Sequence, residues 1–221
     1  MLAINTQLSA EQRLSKNITQ IMGNPKYVAL AGVLMIGEKG IKDDCPTAYT
    51  NGRDDYYGRA FVDGLADSEF RFLILHETYH KLFKHLTTWE HLYKDDPKLA
   101  NMACDYVINL MISDENRDLF AVMPKDAEGN NIGLLDEKFR NMDTAQVYKI
   151  LKQEQEENIA EQSKGEGNGG GLDEHDWEGA QEMSEDEQRG LAREIDEAIR
   201  QGAMTAGKVG SGGNRAIDQL L

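Results

Sequence analysis

The segment FRFLILHETYHKLFKHL, residues 70–86, carries the strongest chemical signal in this sequence. His76 and His80 stand four residues apart, and Glu77 follows the first histidine directly. On an α-helix, residues at this spacing share one face, so both imidazoles can reach a single metal ion. The H-E-x-x-H arrangement is typical of zinc sites in which the glutamate takes a proton from a water whose pKa the metal lowers to roughly 7. We therefore expect His76 and His80 to bind Zn²⁺ and Glu77 to be catalytic.

The alternative is a buried structural helix that contains two incidental histidines. Three fixed letters in five also occur by chance, so the motif needs support from its surroundings. The preceding residues 72–75, FLIL, are apolar on every side of the predicted helix, which indicates a central position in the core. Burying two histidines and a glutamate there is costly without compensation, and a metal ion supplies it.

A tetrahedral catalytic site needs a third protein ligand, and the sequence favours Asp105. In LANMACDYVINLMI, residues 99–112, Asn101, Asp105 and Asn109 recur every four residues on an otherwise apolar helix. Such a stripe faces either water or a polar site, and the apolar surroundings favour a polar site. Asp105 would then bind the metal, and Asn109 or Asn101 would orient the histidine ligands through hydrogen bonds.

His85 is the alternative third ligand. It lies nine residues after His76, so on a continuous helix it points away from the site and can bind only if the helix ends after His80. Otherwise we expect a hydrogen-bonded residue at the helix end. Two further histidines, His91 and His175, are expected at the surface.

Local signals outline the first half of the chain. Ser9 and Gln12 have capping-box spacing and predict a helix over about residues 9–22. The apolar run YVALAGVLMIG, residues 27–37, fits either a buried strand or a short buried helix. The turn NGRD at residues 51–54, flanked by threonines and tyrosines, predicts a β-hairpin.

The motif itself lies on a predicted helix that begins near residue 67, with Asp67 or Ser68 as its cap, and reaches about Leu86. A second helix follows, with Pro97 in its first turn. The expected fold class is therefore α+β and zincin-like, mainly helical, with a small β-sheet or hairpin next to the H-E-x-x-H helix.

The composition changes after residue 152. A short helix is predicted after Asp143, and a last helix is predicted from Ser184, which has capping-box spacing to Glu187, to a stop at Gly202. We expect a domain over residues 1–152, an acidic, glycine-rich flexible linker over 153–183, and a C-terminal helix with a flexible tail over 184–221.

The charge and the cysteine content exclude several classes of protein. The chain has 221 residues, 39 of them acidic and 24 basic, for a formal net charge of −15. Such a surface repels nucleic acid and anionic membranes, so we expect neither as a partner. Neither a signal peptide nor an apolar run of membrane-spanning length is evident, and the two cysteines predict no disulfide framework. A cytoplasmic location is the expectation.

Three segments in order resemble the metallopeptidase domain of bacterial and phage VWA-like (CoxE-type) proteins. They are TNGRDDYYGRAFVDGLADSEFRFLILHETYHKLFKH at 50–85, NMACDYVIN at 101–109 and GLLDEKFRNMDTAQVYKIL at 133–151. The resemblance covers roughly residues 25–220. It implies an H-E-x-x-H metal site, and the positions that match the family pattern are His76, Glu77, His80, His85, Asp105 and Asn109. The sequence ends at Leu221, where the family's VWA-like domain would begin, so we expect a stand-alone short form or a truncated chain.

These observations favour a zinc-dependent metallopeptidase that acts on a protein or peptide, with Glu77 as general base. Tyr56, Tyr57 or Tyr79 is expected to donate a hydrogen bond to the oxyanion, and an edge strand of the hairpin to hold an extended peptide. One alternative is a non-catalytic zinc-binding interaction module whose acidic C-terminal tail docks a protein partner. The other alternative is a metal-free structural helical protein.

Overall fold

The computed structural model describes residues 8–161, 183–210, 214–218 and 220. Its helices are α1 (Ala10–Gly23), α2 (Ala31–Leu34), α3 (Arg59–Gly64), α4 (Asp67–Leu82), α5 (His85–Thr88), α6 (Glu90–Asp95), α7 (Pro97–Glu115), α8 (Thr144–Glu161), α9 (Glu185–Lys208) and α10 (Arg215–Asp218). Its strands are β1 (Lys39–Lys42), β2 (Ala48–Thr50) and β3 (Asp55–Gly58), and short 3₁₀ turns span Val28–Leu30 and Glu137–Phe139. The described part of the chain is mainly helical with a small sheet, in agreement with the expected α+β class.

The sheet contains the predicted hairpin. Strands β2 and β3 pair antiparallel, with Tyr49 opposite Tyr56, and β1 pairs with β3 in parallel, which gives the order β1-β3-β2. The turn between β2 and β3 is held by the Asn51 side chain, which accepts hydrogen bonds from the backbone N–H groups of Arg53 and Asp54. Gly52 has φ +88° there, a conformation that glycine adopts without the strain of a side chain.

The predicted starts of α1, α7, α8 and α9 are confirmed, with Ser184 and Glu187 as the capping box of α9, whereas the start of α4 is not as predicted. Ser9 and Gln12 form the capping box of α1, and Asp96 caps α7 with Pro97 in the first turn. The N-cap of α4 is Ala66, whose backbone N–H donates to the Glu69 carboxylate at 2.7 Å. The two predicted caps, Asp67 and Ser68, both lie in the first turn instead. The Asp67 carboxylate accepts hydrogen bonds from side chains of α1, so a tertiary contact takes the place of the local one.

The apolar run after α1 is helical. Residues 28–34 form a 3₁₀ turn followed by α2, and Leu30, Val33 and Leu34 are buried. Helix α8 is longer than the predicted short helix, since it continues to Glu161 and so enters the range predicted as a linker. The remainder of that range, residues 162–182, lies outside the described residues.

Helix α9 packs into the main core, although the sequence placed it on a flexible tail. Leu191, Ile195 and Ile199 are buried in the same cluster as the apolar residues of α1 and α4. The helix also runs through Gly202, the predicted stop, to Lys208. A Cβ at Gly202 would lie 1.9 Å from the backbone oxygen of Ala29, so this glycine permits close helix packing. Its role is therefore tertiary, and the residue does not end the helix.

Helix α4 runs through the centre of the molecule, as the sequence predicted. From Phe72 to Leu82 every side chain is buried, and α4 contacts α1, α7 and β2. The buried Lys81 ammonium donates to Asp55 on β3 at 2.9 Å, which ties the helix to the sheet. Among the described residues, none of the helices has both the length and the apolar character that crossing a bilayer requires.

Candidate metal centre

Three donor atoms from two helices converge in the core. His76 Nε2 and His80 Nε2 on α4 are 3.1 Å apart, and Asp105 Oδ1 on α7 lies 3.7 Å and 3.5 Å from them, respectively. All three residues are at most 1% exposed. The predicted pair of histidines thus shares one face of α4, and the polar stripe of α7 brings Asp105 against that face. The structure assembles these three residues as a candidate metal site.

The spacing of the donors fits a metal ion. In a tetrahedral site with bonds of about 2.0–2.2 Å, the donor atoms stand roughly 3.3–3.6 Å apart. The three measured separations, 3.1, 3.5 and 3.7 Å, bracket that range. Two imidazole nitrogens and one carboxylate oxygen are also the donor set of open catalytic zinc sites, which keep a fourth position for water or substrate. The residues present therefore fit a zinc-like divalent ion.

Asn109 fixes the orientation of His76. Its Oδ1 lies 2.8 Å from His76 Nδ1, and its Nδ2 donates to the backbone oxygen of Leu134 at 2.9 Å. Since the amide nitrogen faces Leu134, the oxygen accepts from His76, and His76 must carry its proton on Nδ1. This tautomer leaves the lone pair of Nε2 directed at Asp105 and His80. Asn101, one turn before Asp105, is partly exposed, whereas Asn109 is buried.

The structure places His85 behind His80, away from Asp105. Helix α4 ends at Leu82, and Lys84 takes a left-handed backbone conformation with φ +52°, after which His85 begins α5. This break brings His85 Nδ1 to 3.2 Å from His80 Nδ1, the nitrogen on the opposite side of the ring from Nε2. The condition that the sequence set for His85, a helix end after His80, is met. The contact is nevertheless to Nδ1 of His80, whereas the candidate metal site faces Nε2.

Glu77 is buried on the same helix turn as the two histidines. The hydroxyl of Tyr57 is buried as well and makes no hydrogen bond within the described part of the chain. Burial raises the pKa of Tyr57 well above its usual value, and the carboxylates of Asp55 and Glu77 add to this effect. A neutral phenol under the electrostatic influence of Glu77 is therefore available as a hydrogen-bond donor.

The other two tyrosines considered as oxyanion donors have different surroundings. The Tyr79 hydroxyl donates to Glu115 Oε2 at 2.6 Å, and burial followed by Glu115 raises its pKa well above the usual value. Tyr56 is partly exposed on β3, where the Lys42 ammonium lies 3.7 Å from the centre of its ring. Among the three tyrosines, Tyr57 therefore fits a donor role best.

Helix α9 covers the site on the side of His80. A space of about 20 Å³, room for a single water, is bounded by His80, His85 and Leu86 and by Leu191 and Ile195 of α9. A larger cavity of about 320 Å³ opens on the other side of His85. Its lining is mostly apolar and includes Phe83, Trp89, Met111 and the ion pair of Asp114 with Arg140.

Sequence reasoning missed two contributors to this region. The first is the Lys81–Asp55 pair next to His80, in which Lys39 and Thr50 also bind the same carboxylate. The sequence shows Lys81 next to His80 on the motif helix, but it does not show that Lys81 pairs with Asp55 on β3. The second is the space beneath α9, because the sequence assigned that helix to a tail. His91 is exposed as expected, and His175 lies outside the described residues.

Comparisons with known proteins give one finding, at the level of the family. No curated protein and no solved structure matches the chain. A family model matches residues 9–220, and its description is "Putative metallopeptidase domain". The match covers nearly the whole chain and includes both helices of the candidate site. This protein therefore belongs to the family that carries this description.

Proposed function

We propose that this chain is a zinc-dependent metallopeptidase with a zincin-like site. The observation that carries the proposal is the convergence of His76, His80 and Asp105, with Glu77 buried on the same helix. The family match supports a peptidase, and the donor set supports zinc among the divalent ions. The peptidase activity and the zinc ion are both proposed for the site that α4 and α7 form together.

His76 Nε2, His80 Nε2 and Asp105 Oδ1 would hold the ion. When bound, a zinc ion acts as a Lewis acid that polarises the substrate carbonyl and lowers the pKa of water to about 7. Asn109 keeps the lone pair of His76 directed at the site. The carboxylate of Asp105 is a negative charge in a buried environment, and a bound cation would offset the cost of burying it.

Glu77 would act as the general base. Its carboxylate takes a proton from the attacking water and returns that proton to the nitrogen of the leaving amine, so the carboxylate is regenerated after each turnover. The hydroxyl of Tyr57 would donate to the oxyanion that forms on the carbonyl oxygen. The substrate is a protein or peptide, held in extended form along an edge strand of the sheet, β1 or β2.

The decisive experiment compares the wild type with Glu77→Gln. Both proteins are assayed for zinc by elemental analysis and for cleavage of denatured casein and a mixed peptide library by mass spectrometry. We expect about one zinc per chain in both proteins and cleavage by the wild type alone, with Asp105→Ala as the control that loses zinc. Equal cleavage by wild type and Glu77→Gln would refute Glu77 as the base.

A non-catalytic zinc-binding interaction module is the second candidate. The observation that favours it is burial, since His76, His80, Glu77 and Asp105 are all at most 1% exposed and α9 lies over His80. In that case the acidic C-terminal region would dock a protein partner in the cytoplasm. Zinc bound by the wild type, together with no cleavage of any substrate, is the result that this candidate predicts.

A further inference from the structure

We propose that His85 is a positioning residue that holds His80 in its metal-binding tautomer. The inference rests on the metal site of the proposed function and assigns to His85 a role other than that of a ligand. Its basis is the contact between two nitrogens, His80 Nδ1 and His85 Nδ1, which are 3.2 Å apart and buried. One of these nitrogens must carry a proton and the other must accept it, because two lone pairs or two N–H groups would repel.

The direction of this hydrogen bond follows from what His80 faces on its other side. His76 carries its proton on Nδ1, because Asn109 Oδ1 accepts it, so His76 Nε2 presents a lone pair. A metal ion shared by His76 and His80 requires that His80 Nε2 also present a lone pair, which places the proton of His80 on Nδ1. His80 Nδ1–H then donates to His85 Nδ1, and His85 carries its own proton on Nε2.

The backbone is arranged to make this contact. On a continuous helix, a residue five positions after His80 would be rotated by about 140° from it and could not face its ring. The left-handed conformation of Lys84 interrupts α4 and turns His85 back. For a residue with a side chain this conformation costs roughly 1–2 kcal/mol, so the contacts that follow must stabilise it.

The ring of His85 is itself held in place. It stacks on Phe83 at 5.5 Å between ring centres with an interplanar angle of 18°, and it meets His80 edge to face at 5.0 Å. Phe83 in turn packs against Tyr79 of α4. With its ring fixed, His85 directs Nδ1 at His80, as Asn109 directs its oxygen at His76. Each histidine ligand therefore has its own orienting side chain, one from α7 and one from the chain reversal after α4.

The test replaces the acceptor atom and measures zinc affinity by chelator competition. His85→Asn places an amide oxygen near the position of Nδ1 and retains the acceptor, whereas His85→Leu removes it. We expect the dissociation constant of zinc to rise about 10–100-fold in His85→Leu and to stay within about threefold of the wild type in His85→Asn. His91→Leu, at an exposed histidine, is the matched control and should leave the affinity unchanged.

A measurement on the wild type does not depend on whether the variants fold. In zinc-loaded protein with ¹⁵N-labelled histidine, we expect NMR to show the proton of His80 on Nδ1 and the proton of His85 on Nε2. A proton on His85 Nδ1, or equal affinities in His85→Asn and His85→Leu with zinc bound, would overturn this inference alone. Absence of zinc from the wild type would overturn the metal site together with it.

Discussion

Replacing Gly202 with alanine tests how α9 packs on the rest of the molecule. A Cβ at this position would lie 1.9 Å from the backbone oxygen of Ala29 and 2.9 Å from its carbonyl carbon. To restore ordinary contact distances, the helix must move by about 1.5 Å. Such a movement loosens the packing of Leu191, Ile195 and Ile199, which are buried in the main core.

The expected magnitude combines two opposing effects. Overpacking a close contact costs typically about 1–3 kcal/mol, whereas alanine gains up to about 1 kcal/mol over glycine in a helix. Gly190→Ala is the matched control, since the same substitution in the same helix meets no atom within 4 Å. The gain in helix propensity is then common to both variants. We expect Gly202→Ala to be less stable than Gly190→Ala by about 1–3 kcal/mol.

Urea unfolding followed by circular dichroism measures this difference directly. Wild type, Gly190→Ala and Gly202→Ala should unfold in single transitions with similar slopes, so the midpoints report stability. Gly190→Ala should be the most stable of the three. If Gly202→Ala were as stable as Gly190→Ala, the close approach of α9 to Ala29 would be refuted, and with it the position of α9 over His80.

Three further predictions address charge, an unsatisfied hydroxyl and the metal. Hydrogen bonds from Lys16, Asn17 and Arg13 lower the pKa of Asp67 to about 2. Asp67 therefore stabilises the fold above pH 4, and this contribution is lost as the pH falls through 2. Asp67→Asn should cost about 1 kcal/mol at pH 7, and this cost should shrink as the pH falls through 2 in urea titrations, so an equal cost at both pH values would contradict this. Tyr57→Phe removes a buried hydroxyl without a described hydrogen-bond partner, so the free energy of unfolding should stay unchanged or rise by about 1 kcal/mol, while turnover falls about 10²-fold. Lower stability in this variant would show that the hydroxyl is bonded. Chelation should lower the melting temperature of the wild type but not of Asp105→Ala, and no shift in the wild type would argue against a bound ion.

Sequence alone determined the features that depend on neighbours within one or two helical turns. Capping boxes start α1 and α9, the turn at residues 51–54 joins β2 and β3, and the four-residue spacing of His76 and His80 puts both on one face. The recurrence of Asn101, Asp105 and Asn109 predicted a polar face on α7. These signals are readable because backbone hydrogen bonds and helical periodicity are local.

Only the tertiary structure decided how His85 and Gly202 are used. Helix propensity gives no reason for α4 to end at Leu82, and the left-handed Lys84 brings His85 into contact with His80 and Phe83. Gly202 reads locally as a helix stop, yet the helix continues through it because Ala29 approaches from a distant segment. In both places the free energy of packing outweighs the local preference of the backbone, and packing partners far apart in the chain cannot be read from a single sequence.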